Sequence, residues 1–349
     1  MSSLGFSVYV SSFDSQNELI KRSQKTDSPI FLSLHISEEF DDDYIEKVER
    51  ICKTLSEDGF RIIADVSTKT SERFGRNDLV SLAKELGIWA LRIDYGFSDS
   101  EIKALAQKFP IVLNASTTSK SSAKSICDGA KNVMAMHNFY PRPETGLDDA
   151  FFTESTSKLS SVGLKVLAFV QGDKTLRAPV FEGLPTLERH RFQPPSVSFI
   201  DLAVNFGIED IFVGDPDMTI REYDRIMRFC RDDVIEIPTV LDDEYKYLYD
   251  QIFTCRTDSP ASLVRFAESR IYSCYSDRSR QKPQSCHIRN RGAITMDNEH
   301  YGRYAGEIQM MRSDFAADKR INVIGQIKPQ FLDMSDNIKN GAKFVLTRD

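Results

Sequence analysis

Long apolar runs are missing from this 349-residue chain. No stretch approaches the roughly 20 consecutive apolar residues that a membrane-crossing helix requires, so no membrane partner is expected. The first residues, Met1-Ser2-Ser3-Leu4-Gly5-Phe6-Ser7-Val8, lack the basic start and long apolar core of a signal peptide, and the expected location is the cytoplasm. Cysteine is sparse: the six at 52, 127, 230, 255, 274 and 286 form no CxxC pair. That pattern speaks against a disulfide framework or structural zinc and for free thiols in a reducing compartment. Positive charge is not in excess. The formal net charge is −7, which argues against nucleic acid as a partner. No G-x-G-x-x-G or P-loop follows any strand-like run, which weakens a nucleotide-binding open sheet. HxH and HExxH are absent too, and neither a metal nor a cofactor is expected. The strand-like runs hold a single lysine, Lys165, at the bottom of the seventh, so a Schiff-base mechanism lacks its nucleophile.

What the chain does have is a repeated alternation. Apolar runs of strand length occur at Leu4–Val10, Pro29–Ile36, Phe60–Ser67, Trp89–Tyr95, Pro110–Thr117, Asn132–Phe139, Leu164–Val170 and Asp210–Asp215. Amphipathic segments fall between and after them: Tyr44–Asp58, Asn77–Gly87, Asp99–Phe109, Ser119–Gly129, Asp148–Val162, Pro194–Phe206 and Thr219–Arg231. Several end in a glycine just before the next strand (Gly59, Gly87, Gly129, Gly163, Gly207), as helix C-termini do. Near-continuous apolar strands alternating with helices mean a parallel sheet covered by helices. An open doubly wound sheet is the rival arrangement, but eight units is the number that closes a barrel. The fold class is therefore α/β, a (β/α)8 TIM barrel over 1–232. From Val234 the pattern changes to short alternating runs (Ala293–Met296, Tyr304–Met310, Asn322–Ile327, Lys343–Thr347), which predict a small mostly-β domain over 233–349.

In such barrels the reacting groups stand at the C-terminal strand ends. Here those ends carry Ser33 and His35, Asp65 and Ser67, Arg92, Asp94 and Tyr95, Asn114, Ser116 and Thr117, the run from His137 to Gly146, Gln171 and Asp173, and Gly214-Asp215-Pro216. Period-two alternation puts Arg92 with Asp94, and Asn114 with Ser116, on shared faces. Blander readings stand beside the functional one: Asp65 and Asp94 as helix N-caps, His35 and His137 as packing histidines. The rim suits glycoside cleavage. That reaction uses one carboxylic acid for the leaving oxygen, with a second carboxylate or the substrate's own N-acetyl group at the oxocarbenium centre. Asp65, Asp94, Glu144, Asp173, Glu182 and Asp215 supply more carboxylates than it needs, and Tyr9, Tyr95 and Tyr140 offer rings for sugar faces. Between Arg265 and Tyr304, eight Lys or Arg stand against four Asp or Glu, and Arg289, Arg291 and Arg303 offer planar forks for a phosphate or carboxylate. A solvated basic surface explains the same charges.

The run His137-Asn138-Phe139-Tyr140-Pro141-Arg142-Pro143-Glu144-Thr145-Gly146-Leu147 resembles the signature of bacterial 6-phospho-N-acetylmuramidases. So do Leu4–Tyr9, Ser33–Ile36, Ile63–Ser67, Leu91–Gly96, Leu113–Thr117, Glu182–His190, Gly214–Pro216, Ile288–Gly292 and Asp297–Tyr304, in order along nearly the whole chain. One departure is Gln171 before Gly172-Asp173, where the family often has proline. The resemblance implies an intracellular exo-hydrolase of a phosphorylated amino-sugar disaccharide, MurNAc 6-phosphate–GlcNAc, formed when a phosphotransferase system imports a cell-wall fragment. It also implies a cyclophilin-like C-terminal domain. It carries over no secure catalytic pair. Position favours Asp94 and Glu144, with Asp215 in reserve. Substrate-binding candidates are Tyr9, His35, Asp65, Asn114, His137, Asn138, Tyr140, Arg142, Asp173, Glu182, Arg289, Arg291 and Arg303. A homo-oligomer is compatible with the sequence. Two rival readings remain, a barrel isomerase or epimerase of a phosphosugar and a muropeptide sensor that turns nothing over.

Overall fold

Eight short parallel strands close on themselves in a computed structural model that describes residues 2–24, 28–34, 36, 39–130, 132–269 and 281–348. They are β1 (Ser3–Val8), β2 (Pro29–Ser33), β3 (Arg61–Val66), β4 (Ala90–Ile93), β5 (Ile111–Asn114), β6 (Val133–Met136), β7 (Lys165–Val170) and β8 (Asp210–Val213). β8 returns to pair with β1 in parallel register, Ser3 opposite Asp210 and Phe6 opposite Val213, so the barrel has no free edge. This is the (β/α)8 barrel expected. Most of the strand-like runs extend past the C-terminal ends of the strands themselves. β2 stops at Ser33, β4 at Ile93, β6 at Met136 and β8 at Val213. The residues beyond include the polar Asp94, His137, Asn138 and Asp215 and begin the loops.

The helices are α1 (Asn17–Ser23), α2 (Tyr44–Glu57), α3 (Thr70–Arg73), α4 (Leu79–Glu85), α5 (Asp99–Ala106), α6 (Lys120–Cys127), α7 (Asp149–Ser160), α8 (Pro195–Asn205) and α9 (Ile220–Asp232). Four of their starts are set by side-chain caps: Asp78, Ser98, Ser119 and Asp148 each accept a hydrogen bond from a backbone N–H three residues on. Ser98 and Glu101 complete a capping box. α2 buries Val48, Ile51, Cys52 and Leu55, the i, i+3, i+4, i+7 stripe of a helix laid on a sheet. The glycines read as helix stops have φ between 67° and 87° (Gly59, Gly87, Gly129, Gly163, Gly207), a region other residues enter only at a cost. The short helices α1 and α3 lack a long amphipathic period, and the sequence pattern does not predict them.

Inside the barrel, Phe31, Ile63, Ala90, Val112, Met134, Met136, Leu167, Phe169 and Phe212 form the core. A fully buried phenylalanine contributes about 1.5–3 kcal/mol relative to an exposed one. Phe31, Phe139 and Phe169 meet edge to face, with ring centres 5.0–6.1 Å apart.

The chain divides into two units, residues 1–223 and 224–349, and the division falls within α9. The second unit is a seven-stranded mixed sheet built from β9 (Val234–Leu241), β10 (Ile252–Thr254), β11 (Leu263–Arg265), β12 (Ala293–Asp297), β13 (Ile308–Met311), β14 (Ile321–Ile327) and β15 (Lys343–Thr347), in the order β10-β15-β9-β14-β12-β13-β11. Pro238 sits inside β9 without breaking it. β15 pairs with β9 as far as Pro238 and β14 takes over at Thr239, so the missing N–H falls where the strand changes partners. β10 and β11, three residues each, are too short to read from alternation.

Candidate active site

The site grows out of neighbouring strand ends. β3 ends in Asp65-Val66 and β4 carries Arg92, directly opposite Asp65 in the parallel register. Two residues on, past the end of the strand, Asp94 emerges on the same side. Arg92 is buried, and its Nη1 donates to Asp65 Oδ1 at 2.6 Å and to Asp94 Oδ1 at 3.5 Å, while Nη2 donates to the side-chain oxygen of Asn138 on the loop after β6. Burial alone would lower the guanidinium's pKa; the Asp65 and Asp94 charges outweigh it and hold the group above its usual value, permanently charged. Asp65 and Asp94 are therefore not helix caps. The caps that follow them belong to other residues, such as Ser98 at α5. The wall formed by Asp65, Arg92 and Asp94 carries a formal charge of −1, and Asp94 is its more exposed acid, with 23% of the side chain open against 9% for Asp65.

These residues line a cleft of about 310 Å³ at the C-terminal end of the barrel. Its floor is the trio Phe31, Phe139 and Phe169; Ser33, Ile36, Asn138 and Arg177 complete it. An apolar floor with a few convergent polar groups is the usual form of a small-molecule site.

Arg177 is a cleft residue that sequence reasoning misses, because it sits in the irregular segment between β7 and α8 and on no strand end. Its guanidinium stands 4.9 Å from the Tyr9 ring centre and 5.8 Å from that of Phe139. Its backbone is fixed from below by Asp215. That buried carboxylate accepts hydrogen bonds from the N–H groups of Gly172 (2.8 Å), Arg177 (3.0 Å) and Leu184 (2.9 Å). Burial raises the pKa of Asp215 while the three amides oppose it. Gly172 has to be glycine here, because a Cβ would collide with the Asp217 carbonyl oxygen and the Asp215 side chain. Asp215, the reserve acid, is thus spent on holding a loop.

The remaining candidates fall in several places. Tyr9 is buried, donates from its hydroxyl to the Gly214 carbonyl, and lines a second hollow next to the cleft. Asn114 turns back to accept from the Ser116 N–H at 3.0 Å. His137 is fully buried, with Nδ1 3.2 Å from the Ser116 hydroxyl, Nε2 3.0 Å from that of Thr156, and its ring against Phe152. Burial pushes its pKa down to about 3, so it is a neutral packing histidine behind the wall. Tyr140 reaches the Ser116 hydroxyl at 3.4 Å. Asp173 accepts from the Thr219 N–H and hydroxyl at the start of α9, at 2.7 and 2.8 Å. Glu182 is half-buried, and neither it nor the exposed Arg142 lines the cleft. His35 lies outside the described residues.

Glu144 does not join Asp94. It is exposed, with φ 68°, and absent from the cleft walls. The signature loop is shaped instead by Glu188 and Arg191. Residue type alone does not single them out, although Glu188 stands in one of the runs that resemble the family. Glu188 accepts from the N–H groups of Glu144 and Gly146, both at 2.8 Å, and from Arg191 at 2.7 Å. Arg191 also donates to the carbonyls of Tyr140 and Gly183 at 2.9 and 3.0 Å. Its guanidinium, then those two amides, hold the Glu188 carboxyl down at about 2.

In the second unit, Arg291 is bracketed by Asp333 and Asp336, each at 2.7 Å, and so is already neutralised. Arg289 donates to the Ala316 carbonyl over the Phe315 ring, and Arg303 lies over Tyr304.

The chain matches the sequence profile described as the N-terminal part of 6-phospho-N-acetylmuramidase over residues 4–228, and the profile of its C-terminal part over 234–347. Among solved structures it is similar to a conserved Enterococcus faecalis protein of unknown function, with TM-score 0.86 and 29% identity, covering 100% of this chain and 97% of that one. An uncharacterized B. cereus protein superposes with TM-score 0.81 at 22% identity, covering 99% and 100%, which speaks for the fold. A comparison with curated proteins gives no match.

Proposed function

The chain belongs to the 6-phospho-N-acetylmuramidase family, and from that premise we propose that it is a glycosidase splitting MurNAc 6-phosphate–GlcNAc in the recycling of cell-wall sugars. The observation that carries this reading is the array at the barrel mouth. Asp65, Arg92 and Asp94 form a wall that is net negative once both carboxyls are ionised, beside an apolar floor, with Arg177 lining the same cleft. Negative charge held in a largely desolvated wall suits the positive charge that develops at an anomeric carbon. Asp94, the more open acid, is the proposed proton donor to the leaving oxygen: it enters the reaction protonated, and the wall gains its net negative charge as that proton passes to the leaving group. Asp65, locked to Arg92, is the proposed stabiliser of the oxocarbenium-like centre. The phenylalanine floor suits the apolar face of one sugar ring, and the cleft volume suits one phosphorylated amino sugar with its partner outside, as exo cleavage requires.

Among the described residues no helix is long and apolar enough to cross a membrane, and the cytoplasm, where imported sugars arrive phosphorylated, is the proposed location. The cyclophilin-like character of the second unit is likewise a proposal, supported by its seven-stranded sheet. The test is release of N-acetylglucosamine from the phosphorylated disaccharide in a coupled assay. The reading expects it with wild-type protein, and its absence at high enzyme concentration would remove the assignment.

A further inference from the structure

Two arginines line the cleft, and they are in opposite electrostatic states. Arg92 is consumed by Asp65, Asp94 and Asn138. Arg177 makes no ion pair within 4 Å of a described carboxylate; it stands against the Tyr9 and Phe139 rings, hydrogen-bonds Tyr9, and feels the buried Asp215 charge from farther off. Rings against a guanidinium strip water from it, and the N–H groups it does not spend on Tyr9 are where a ligand binds. The position is also built. The Arg177 N–H is tied to Asp215, a carboxylate 1% exposed at the end of β8, together with the amides of Gly172 and Leu184 at either end of the same loop. Arg177 borders both the cleft and the adjoining hollow of about 350 Å³, so whatever lies in the cleft meets its edge.

We propose that Arg177 is a specificity-determining residue that takes an oxyanion carried by the sugar, a phosphate ester or a carboxylate. This rests on the glycosidase reading above. It assigns the anion to the barrel itself, in place of Arg291, whose charge Asp333 and Asp336 already satisfy. A planar fork pairs bidentately with either oxyanion, and a charge-assisted contact of this kind is worth about 10- to 100-fold in affinity.

The test compares wild type, Arg177→Gln and Arg177→Lys on three disaccharides: MurNAc 6-phosphate–GlcNAc, MurNAc–GlcNAc without the phosphate, and GlcNAc 6-phosphate–GlcNAc without the lactyl carboxylate. Arg177→Gln is expected to lower kcat/KM on the full substrate by about 10- to 100-fold. That penalty should shrink to about fivefold or less on whichever trimmed substrate lacks the anion being read. Collapse on MurNAc–GlcNAc assigns phosphate, and collapse on GlcNAc 6-phosphate–GlcNAc assigns the carboxylate. Arg177→Lys keeps the charge without the fork and should recover part of the loss. An equal penalty on all three substrates, or none on the full one, overturns the proposal. Calorimetric titration of MurNAc 6-phosphate, MurNAc and GlcNAc 6-phosphate into the same proteins reads the same difference without turnover. A wild type that cleaves nothing sinks the glycosidase reading, while the binding comparison still decides for or against Arg177.

Discussion

Asp94 and Glu144 make different claims on catalysis, because one stands in the cleft wall beside Arg92 and the other on an exposed turn. Replacing Asp94 by Asn should cut turnover by about 10²–10⁴-fold, the span for losing a positioned proton donor or base. Glu144→Gln should cost about tenfold at most. A steady-state comparison that ranks them the other way round would return the acid role to the signature loop. His137 gives a prediction about pH. Its folded-state pKa, about 3, lies below the unfolded value of 6.5. Between those values the unfolded chain binds a proton that the folded one excludes, so this stability is present above pH 6.5 and is lost as pH falls toward 3. Thermal melts of wild type should therefore decline over that window, and His137→Gln should show a shallower decline. Equal slopes would mean the ring is protonated in place. Arg92 and Asp94 are legible in the sequence because strand alternation fixes the face they share, and Asp65 as a polar strand end; that Asp65 faces Arg92 comes from the register between strands. Arg177 is not legible, since an irregular loop has no period from which to read direction. Arg291 misleads for a related reason: the carboxylates that spend its charge lie 42 and 45 residues away in sequence.

The elements explain how the two acids come together. Asp65 and Asp94 both reach one nitrogen of Arg92, so their nearest oxygens stand no more than about 6 Å apart. Retaining glycosidases space their carboxyl groups about 5–5.5 Å apart, whereas inverting ones leave about 6.5–9.5 Å for a water. Proton NMR of the first-formed product reads which spacing operates: retention fits Asp65 and Asp94 acting as a closely spaced pair, and initial formation of the opposite anomer would rule out this pair. Between the loops after β6 and β7, the buried Arg191 ties Glu188 to the carbonyls of Tyr140 and Gly183. Arg191→Met takes the donor from the Tyr140 and Gly183 carbonyls and leaves Glu188 only the Glu144 and Gly146 amides. Glu188 is 32% exposed, so the cost falls below the about 3–5 kcal/mol of breaking a fully buried pair. A melting temperature lower by several degrees and faster amide exchange at 140–147 and 182–184 should follow; neither change would mean the loops hold themselves. The barrel is readable because its strands are apolar runs ending in polar residues and several of its helices stop at glycine. The three-residue strands β10 and β11 are not, because pairing with β15 and β13 defines them.

At the scale of the whole molecule, a chain of net charge −7 is proposed to take an anionic sugar. That combination works only where the local field opposes the global one, as at Arg177 beside aromatic rings. Binding energy from a remote phosphate also raises the rate when it is realised in the transition state. If Arg177 reads the phosphate, MurNAc 6-phosphate–GlcNAc should exceed its unphosphorylated form in kcat/KM by about 10- to 100-fold; values within about fivefold would show the phosphate is not read. The central claim is hydrolysis itself, as against isomerisation of a phosphosugar or binding without turnover. The most direct measurement is mass spectrometry of the purified protein incubated with the phosphorylated disaccharide in heavy-oxygen water. The account predicts N-acetylglucosamine of ordinary mass and MurNAc 6-phosphate carrying one heavy oxygen at the anomeric carbon; an intact or merely rearranged disaccharide, with no heavy oxygen gained, would contradict it.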